Sequence, residues 1–443
     1  MAKGQVWLPF EEPKTDRLLE PIASWGNLLR AWAAVRRNRG APGIDGVTID
    51  RFEENLESNL RELQADMVAG RYRHQPLRRV WIPKPGSDAK RPLGIPAIRD
   101  RVAQQALLYV IEPLYEGSFS ESSYGFRPGR SQHQAVEQAL KHIAAGHRWV
   151  VDVDLKSFFD TIPHWKMVAR CRDRIADERV ITILARMLKS GVIQEGRWTA
   201  TQEVAPQGGP LSPLLSNIVL HQLDQELEAR GHRFVRYADD FQIFKTTWRA
   251  AYRVMDRVVG FLEKRMHLTV NREKSSVCYC EEATFLGFRY ACPMTQEQKD
   301  RPGGVYVVLS EKAKSRFKQR VRELTPRNAG RSIRALIADL STYVRGWVGY
   351  YGIARDYFFR NMMSWIRRRL RAIKLKQWGC RKAVRKALIR AGVAPARAAE
   401  MALSHFGWRA AASPAAHMAL RNRWFTKRGL YDLTGCTTSP GVS

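Results

Sequence analysis

Near the middle of the chain the sequence reads Phe234-Val235-Arg236-Tyr237-Ala238-Asp239-Asp240-Phe241-Gln242-Ile243-Phe244. Two apolar β-type runs flank the adjacent acids Asp239 and Asp240, a pattern that predicts a β-hairpin with both carboxylates at its tip. Neighbouring carboxylates repel each other, and burying one of them without compensation is costly, so a divalent cation is their usual partner. Oxygen ligands without a nearby Cys or His set favour Mg²⁺ over zinc. Taken alone, the segment is equally consistent with an acidic turn.

A second acidic segment changes this balance. Trp149 to Leu155 is an apolar β-type run interrupted by Asp152 and Asp154. We expect this strand to lie beside the hairpin, where it would bring Asp154 to Asp239. Carboxylates from two strands can bridge two metal ions about 4 Å apart, the arrangement that polymerases and nucleases use for phosphoryl transfer.

These two segments resemble motifs of the reverse transcriptases encoded by group II introns. Tyr237–Asp240 resembles the catalytic box of that family, and Asp154–Asp160 resembles its first metal-binding motif. The resemblance implies dNTPs as substrates and two Mg²⁺ ions per active site, with Asp154, Asp239 and Asp240 as catalytic residues. The implied metal-binding positions are Asp154, Leu155, Asp239 and Asp240.

The same resemblance assigns residues to the incoming nucleotide. Lys84 and Arg91 would grip the triphosphate, for which the planar fork of Arg is well suited, although such cations also occur on solvated hairpin faces. Gln207 would position the nucleotide. Phe159 is a candidate steric gate against a 2′-hydroxyl and equally a candidate core residue. Lys274 would donate a proton to the leaving pyrophosphate, the alternative being a surface lysine.

Other matched positions point to the template and primer. Gly208 and Gly209 open a loop-to-helix junction where the backbone can approach a ligand closely. Arg127 and Arg130 have two equally supported interpretations, contact with template phosphates or capping of acidic neighbours. The family motifs follow one another in the expected order from about residue 38 to residue 290.

An extension of about 70 residues precedes the expected fingers region. It contains the Gly- and Pro-rich loop Gly40–Gly46, followed by an acidic amphipathic pattern that predicts one helix from about Asp50 to Ala69. Such a loop is usually only a connection. The resemblance implies that this region helps to hold template RNA.

The charge of the chain is strongly positive and unevenly distributed. The formal net charge is +31 and the isoelectric point is near 10.3, which calls for a polyanionic partner. Residues 301–443 contain 30 Lys and Arg against 6 Asp and Glu, whereas residues 1–300 contain 44 against 37. A nearly balanced region is therefore followed by a strongly basic one.

Cysteine spacing and hydropathy exclude several classes of protein. None of the six cysteines forms a CxxC pair, so we expect free thiols and no zinc. The first sixteen residues have no apolar core, and no apolar run approaches the roughly 18 residues of a membrane span, so we expect neither a signal peptide nor a membrane partner. We expect a bacterial protein that is located in the cytoplasm and associated with the nucleoid.

The basic carboxy-terminal part predicts long helices that carry cations beside aromatic residues. Arg367, Arg368 and Arg371 lie beside Trp365 in one such helix, a composition that suits phosphate contact and base stacking. Ser341–Tyr351 resembles the thumb, or maturase domain, of the same family. Residues 381–443 resemble its DNA-binding segment more weakly. No His-Asn-His pattern or cysteine pair follows, so we expect no HNH endonuclease.

We therefore predict an α+β fold: a right-hand polymerase, with fingers and palm built on antiparallel sheet, then an α-helical thumb and a small basic DNA-binding segment. The expected boundaries are 1–70, 71–300, 301–378 and 379–443. The predicted function is that of a group II intron reverse transcriptase that binds its intron RNA, assists splicing and copies the intron into cDNA by target-primed reverse transcription. The alternatives are a free-standing relative in host defence or DNA repair, and a non-catalytic RNA-binding splicing cofactor.

Overall fold

The structure is a computed structural model. It describes residues 14–83, 90–156, 158, 162–194, 197–199, 208–292, 304–328, 330–403 and 408–433. For residues 91 and 408 the description covers the backbone only. The chain divides into two compact units, Met1–Tyr279 and Cys280–Ser443. No helix within the described ranges is long and apolar enough to cross a membrane.

The first unit alternates helices with short strands. Its helices are α1 (Leu19–Ile22), α2 (Trp25–Asn38), α3 (Ile49–Glu54), α4 (Leu56–Val68), α5 (Ile98–Glu116), α6 (Gln132–Ala144), α7 (His164–Cys171), α8 (Glu178–Leu188), α9 (Ser212–Ala229) and α10 (Trp248–Lys264). Its strands are β1 (Leu77–Pro83), β2 (Lys90–Ile95), β3 (Trp149–Val153), β4 (Val192–Gln194), β5 (Arg197–Thr199), β6 (Arg233–Tyr237), β7 (Asp240–Lys245) and β8 (Ser276–Tyr279).

Four antiparallel strands in the order β6-β7-β3-β8 form what we call the palm sheet. The apolar residues that predicted these strands are buried in it: Val150 and Val151 of β3 and Phe241 and Ile243 of β7 are fully buried. β-branched and aromatic side chains favour such packed, pleated surfaces. The palm sheet therefore forms where the two acidic segments predicted it.

A second sheet, in the order β2-β1-β4-β5, lies in the fingers region. The pairs β1–β2 and β4–β5 are antiparallel, but β1 and β4 are parallel, with Leu77 opposite Val192. The expectation of antiparallel strands therefore holds for the palm sheet, whereas the fingers sheet is mixed. Because β4 arrives after a long helical excursion rather than through a hairpin, it can approach β1 in the parallel direction.

The predicted helix from about Asp50 to Ala69 is divided in two. Asn55 separates α3 from α4, with backbone angles outside the helical range. The Asn59 side chain donates a hydrogen bond to the carbonyl of Phe52, at 2.9 Å. This bond pairs a carbonyl at the end of α3, so a polar side chain makes the interruption tolerable.

Helix α5 lies in the core of the first unit. Its residues Ile98, Val102, Ala106 and Ile111 are fully buried, and α5 packs against α2. Helix α6 covers the palm sheet and begins at Ser131 with a capping box, which fixes its first turn.

The imidazole of His142, on α6, packs against Phe244 of β7 with their ring centroids 5.4 Å apart. Burial and the charge of Arg233 lower the pKa of His142 to about 4. The unfolded chain therefore binds this proton more readily than the folded one, and stability falls as pH drops from about 6.5 towards 4. Between pH 7 and pH 5 the loss should be about 2 kcal/mol. Urea unfolding of the parent and of His142→Gln at both pH values tests this, and equal pH sensitivity of the two proteins would contradict it.

The second unit has one small sheet and a set of helices. Its strands, in the order β11-β10-β9, are β9 (Thr284–Phe285), β10 (Phe288–Ala291) and β11 (Tyr306–Leu309). Its helices are α11 (Glu311–Leu324), α12 (Ile333–Tyr351), α13 (Phe358–Gln377), α14 (Arg381–Arg390), α15 (Pro395–Leu403), α16 (Trp408–Ala411), α17 (Pro414–Ala419) and α18 (Asn422–Thr426). Phe317, Trp347 and Phe358 pack together between α11, α12 and α13.

Candidate active site

The palm sheet brings the predicted acidic residues to one end. Val153 of β3 pairs with Phe241 of β7, and Asp154 directly follows Val153. Asp240 is the first residue of β7, and Asp239 lies in the tight turn between β6 and β7. The structure therefore confirms that the Asp154 strand lies beside the hairpin.

A cleft of about 1100 Å³ opens at this end of the sheet. Asp154, Leu155 and Asp239 all line it, together with Lys274. Its volume is slightly above the usual upper end for ligand pockets, which is enough for a nucleotide. The cleft therefore offers carboxylates from two separate segments of the chain to one bound substrate.

The electrostatics of the cleft favour a bound cation. Partial burial and the nearby charge of Asp154 raise the pKa of Asp239. Asp152, two residues before Asp154, has a pKa raised to about 6, mainly by burial. The ammonium of Lys274 lies 3.6 Å from Asp154 Oδ2 and offsets part of this negative charge.

The donor set at the cleft is made of oxygen atoms, as hard divalent cations require. Among the described residues, no group of three or more His, Cys, Asp or Glu side chains is placed to hold a metal ion. A divalent metal ion in the cleft would therefore depend on Asp154 and Asp239 as side-chain ligands, with Leu155 beside them. This fits a site that is completed by the phosphates of a substrate, as is common for Mg²⁺.

The loop at 269–275 fixes the backbone around Asp154. The amide of Asn271 donates to the carbonyl of Asp154 at 2.8 Å, and the Asp154 amide donates to Ser275 Oγ at 3.0 Å. The amide of Lys156 donates to the carbonyl of Thr269. Both peptide groups around Asp154 are thus held, which orients its carboxylate. The role of Asn271 and Ser275 in holding Asp154 was not predicted from the sequence. The only signal for these two residues was that they are close to Lys274 along the chain.

A buried ion pair stabilises the turn between β6 and β7. Arg236 and Asp224 are both fully buried, with hydrogen bonds of 2.7 and 2.5 Å between their side chains. Arg236 also donates to the carbonyl of Ala238 at 2.9 Å and to Asn217 Oδ1 at 3.0 Å. The only indication of this ion pair in the sequence was the position of Arg236, a cation within an otherwise apolar predicted strand.

Ala238 has a backbone conformation that L-residues adopt reluctantly. Its φ is +57°, in the left-handed region, which costs a non-glycine residue about 1–2 kcal/mol. The hydrogen bond from Arg236 to its carbonyl stabilises this conformation. The adjacent Asp239 owes its position to the turn, so Arg236 acts as a positioning residue for that carboxylate.

Gly125 packs directly against the same turn. Asn217 donates to the Gly125 carbonyl at 2.8 Å. A Cβ on Gly125 would lie 2.8 Å from the carbonyl carbon of Tyr237 and closer still to the amide nitrogen of Ala238. Gly125 therefore lies against the hairpin formed by β6 and β7, and its position has no room for a side chain.

Gly125→Ala should displace the turn, because backbone atoms on the hairpin have to move to admit the new methyl group. We expect at least a tenfold loss of polymerase activity and a destabilisation of about 1–3 kcal/mol, typical of overpacking. Gly117→Ala is the matched control, since a Cβ at Gly117 would have no atom within 4 Å. Steady-state primer extension together with thermal unfolding measures both effects, and Gly125→Ala activity equal to that of the control would contradict the contact.

The predicted nucleotide-binding residues are only partly described. Lys84, Phe159 and Gln207 lie outside the described residues. The backbone of Arg91 pairs with Ile82 in the fingers sheet. Lys274 lines the cleft beside Asp154. The roles of all five stay predictions.

Gly208 and Gly209 line the cleft that contains Asp154 and Asp239. Gly208 has a φ of +118°, which strongly favours glycine, and a Cβ there would lie 2.6 Å from the Gly94 carbonyl oxygen. This close approach brings the start of α9 next to the fingers sheet. Contact of the two glycines with template and primer remains a prediction.

Arg127 and Arg130 bind acidic neighbours within the first unit. The Arg127 side chain is buried, donates to Glu116 Oε1 at 2.9 Å and also bonds the carbonyls of Ser120 and Ser123. Arg130 forms an ion pair with the exposed Glu121. These contacts favour the acid-capping interpretation, and contact with template phosphates stays a prediction.

The three arginines predicted on α13 have different surroundings. Arg367 and Arg371 are buried, and they bond to Asp432 at 3.2 Å and to the Leu420 carbonyl at 3.0 Å, respectively. Arg368 is exposed. Two of the three therefore tie α13 to the segment that follows it in the second unit, and their binding of nucleic acid stays a prediction.

Comparisons with known proteins agree with this geometry. The family model described as reverse transcriptase (RNA-dependent DNA polymerase) matches residues 82–290. The model described as group II intron, maturase-specific domain matches residues 314–391. The first match contains the palm sheet together with Asp154, Asp239 and Lys274 of the cleft, and the second contains α12 and α13.

Individual relatives lead to the same assignment. The chain is 36% identical to Protein YkfC of Escherichia coli K12 over 318 residues, 62% of this chain and 83% of that protein. It is 36% identical to the group II intron-encoded protein LtrA of Lactococcus lactis over 195 residues, 44% of this chain and 32% of LtrA. The chain thus spans about a third of LtrA. On these matches, the chain belongs to the family of group II intron reverse transcriptases that carry a maturase-specific domain.

Proposed function

We propose that the chain is an RNA-directed DNA polymerase that binds its intron RNA, assists splicing and copies the intron into DNA from a primer at the target. The observation that carries the proposal is the placement of Asp154 and Asp239 at one end of the palm sheet, on a shared cleft. The maturase-specific match in the second unit supports the splicing part.

The chemistry follows from the residues of the cleft. Two Mg²⁺ ions, held by Asp154 and Asp239 with Leu155 and Asp240 beside them, would supply Lewis-acid activation and charge neutralisation for phosphoryl transfer. Lys274 would donate a proton to the leaving pyrophosphate, and its 3.6 Å distance from Asp154 supports this role. Lys84 and Arg91 would bind the triphosphate, Gln207 would position the nucleotide, and Phe159 would exclude the 2′-hydroxyl.

The basic second unit would hold the nucleic acid. Between residues 301 and 443 the excess of cations over acids is large, so binding should weaken steeply with salt. The partners we propose are intron RNA, template RNA and the DNA primer or target, and DNA binding would place the protein at the nucleoid.

Primer extension on an RNA template tests the polymerase part. The full chain, supplied with a DNA primer, dNTPs and Mg²⁺, should synthesise cDNA, and synthesis should stop when EDTA is added. Failure to extend, under conditions where a known reverse transcriptase extends the same primer, would overturn the assignment.

Splicing of a precursor RNA tests the maturase part separately. The precursor should carry whichever group II intron the DNA around the coding sequence encodes, and the chain should accelerate its splicing at low Mg²⁺. Asp239→Asn should keep this acceleration, because the substitution alters only the polymerase cleft. Polymerase activity without any effect on splicing would favour a free-standing enzyme.

A further inference from the structure

One aromatic side chain, that of Phe126, is exposed on the wall of the polymerase cleft. Phe126 lines the same cleft as Asp154 and Asp239, and the residue is 55% exposed. Single exposed apolar residues are common on protein surfaces. Among the described residues, however, no other exposed large apolar side chain lines this cleft. The ring therefore offers an apolar face to the occupant of the cleft, in the same space as the carboxylates.

The backbone at Phe126 is strained. Its φ is +56°, in the left-handed region that bulky residues rarely adopt. Ala238, in the turn between β6 and β7, has a φ of +57°, and Gly125, the neighbour of Phe126, packs against it. Two strained residues thus lie close together beside the cleft. Strain of this kind persists only where the surroundings impose it, and it concentrates at catalytic and ligand-binding positions.

Contacts on both sides of Phe126 impose this conformation. The amide of Tyr124 donates a hydrogen bond to the carbonyl of Arg236 at 2.8 Å, which ties the segment to β6. The buried Arg127 donates to two backbone carbonyls of the residues that precede Phe126. The ring of Phe126 itself lies beside that of Tyr237, with centroids 6.2 Å apart, within the usual range for an aromatic pair. The ring is therefore held in a fixed position relative to the hairpin.

The chemistry of the cleft determines what lies beside this ring. In phosphoryl transfer to a primer, the attacking 3′-hydroxyl has to lie at the carboxylates that serve the reaction. Phe126 lines that cleft, and its ring lies beside Tyr237, two residues before Asp239. The base pair at the primer end is therefore the part of the substrate that the ring is placed to contact. Because the ring has no hydrogen-bond donor or acceptor, it responds to the shape of this pair and not to its sequence.

We propose that Phe126 is a specificity-determining residue for this reaction: its ring packs against the primer-terminal base pair and makes extension depend on the geometry of that pair. The inference rests on the proposed polymerase function and deepens it. A matched pair that fits the ring places the 3′-hydroxyl at Asp154 and Asp239, whereas a mismatched pair of different width displaces it. A displacement of about 1 Å can cost about a hundredfold in rate, so a rigid contact here is enough to favour matched primers.

A small set of variants separates the ring from the backbone that carries it. Phe126→Gly removes the ring and also the left-handed strain. Phe126→Asn removes the ring but uses a residue type that tolerates this conformation, and Phe126→Tyr keeps the ring. His267→Gly is the matched control, because His267 is exposed, has a φ of +54° and does not line the cleft.

The experiment measures single-turnover extension of a DNA primer on an RNA template, with the primer end either matched or mismatched. We expect Phe126→Gly and Phe126→Asn to lower the preference for the matched end about tenfold, mainly through slower extension of the matched primer. The dNTP concentration that gives half the maximal rate should stay within about twofold of the parent value, since the incoming nucleotide keeps its contacts. Phe126→Tyr and His267→Gly should keep the parent preference. Phe126→Gly and His267→Gly should have similar melting temperatures, because each relieves the same strain at an exposed residue.

Several results would overturn the proposal. A parent-like preference for matched primers in Phe126→Gly would show that the ring has no such role, and a defect confined to the dNTP dependence would place it at the incoming nucleotide. Equal losses in Phe126→Tyr and Phe126→Gly would assign the effect to the backbone. A melting temperature of Phe126→Gly well below that of His267→Gly would show a structural role instead. A parent that does not extend matched primers would refute the polymerase function and this inference with it, whereas the other outcomes leave that function intact.

Discussion

Replacing Asp239 by asparagine should lower RNA-templated primer extension about a thousandfold or more, while the protein folds at least as well as the parent. Loss of the carboxylate removes a metal ligand, and with it several kcal/mol of charge stabilisation in the transition state. The free energy of unfolding, in contrast to the activity, should rise. Burial and Asp154 raise the pKa of Asp239 in the folded protein, so its charge at neutral pH opposes folding.

Asp256→Asn is the matched control for this result. Asp256 is an exposed acid on α10 in the same unit, so its replacement makes the same chemical change on a solvated surface. It should retain nearly full activity. Single-turnover extension at saturating dNTP and Mg²⁺ measures both variants, with thermal unfolding of the metal-free proteins alongside. More than a tenth of the parent rate in Asp239→Asn would refute a ligand role for this residue.

Arg236→Met should be the most destabilising of the single substitutions considered for the palm. It leaves Asp224 buried without its partner, and breaking a buried ion pair in this way costs about 3–5 kcal/mol. It also removes the hydrogen bond to the carbonyl of Ala238. We therefore expect both a lower unfolding midpoint and a loss of polymerase activity.

A double variant separates these two consequences. Arg236→Met with Asp224→Leu removes both charges, which should recover most of the stability because the pair is replaced by apolar side chains. Activity should remain low, since the hydrogen bond from Arg236 to the Ala238 carbonyl is still missing. Adding Ala238→Gly, which removes the strain at that residue, should raise activity part of the way. Full activity in the double variant would show that Arg236 serves stability alone.

Local pattern was enough to predict the elements that form the site. The alternation of apolar residues around Asp239 and Asp154 predicted two strands, and pairing them placed the acids at one end of the palm sheet. Such patterns are informative because a buried strand leaves few alternatives for its register. The basic, aromatic character of α13 was equally visible in the sequence.

The contacts that hold the site in place were not predictable in this way. Ser275 lies 121 residues from Asp154, and the backbone of Gly125 meets the hairpin more than 100 residues away. Nothing in a local periodicity records such pairings, which depend on the tertiary fold. The break at Asn55 and the parallel pairing of β1 with β4 were missed for the same reason, because tertiary packing overrides local propensity.

The central claim is that Asp154 and Asp239 bind the same divalent metal site, and iron-directed cleavage tests it most directly. Fe²⁺ in place of Mg²⁺, with ascorbate and peroxide, should cut the chain near residues 152–156 and near residues 237–241 in one preparation. Excess Mg²⁺ should suppress both cuts together, and Asp239→Asn should abolish both. Cleavage confined to one of the two segments, or a cut near Asp154 that persists unchanged in Asp239→Asn, would contradict the shared site.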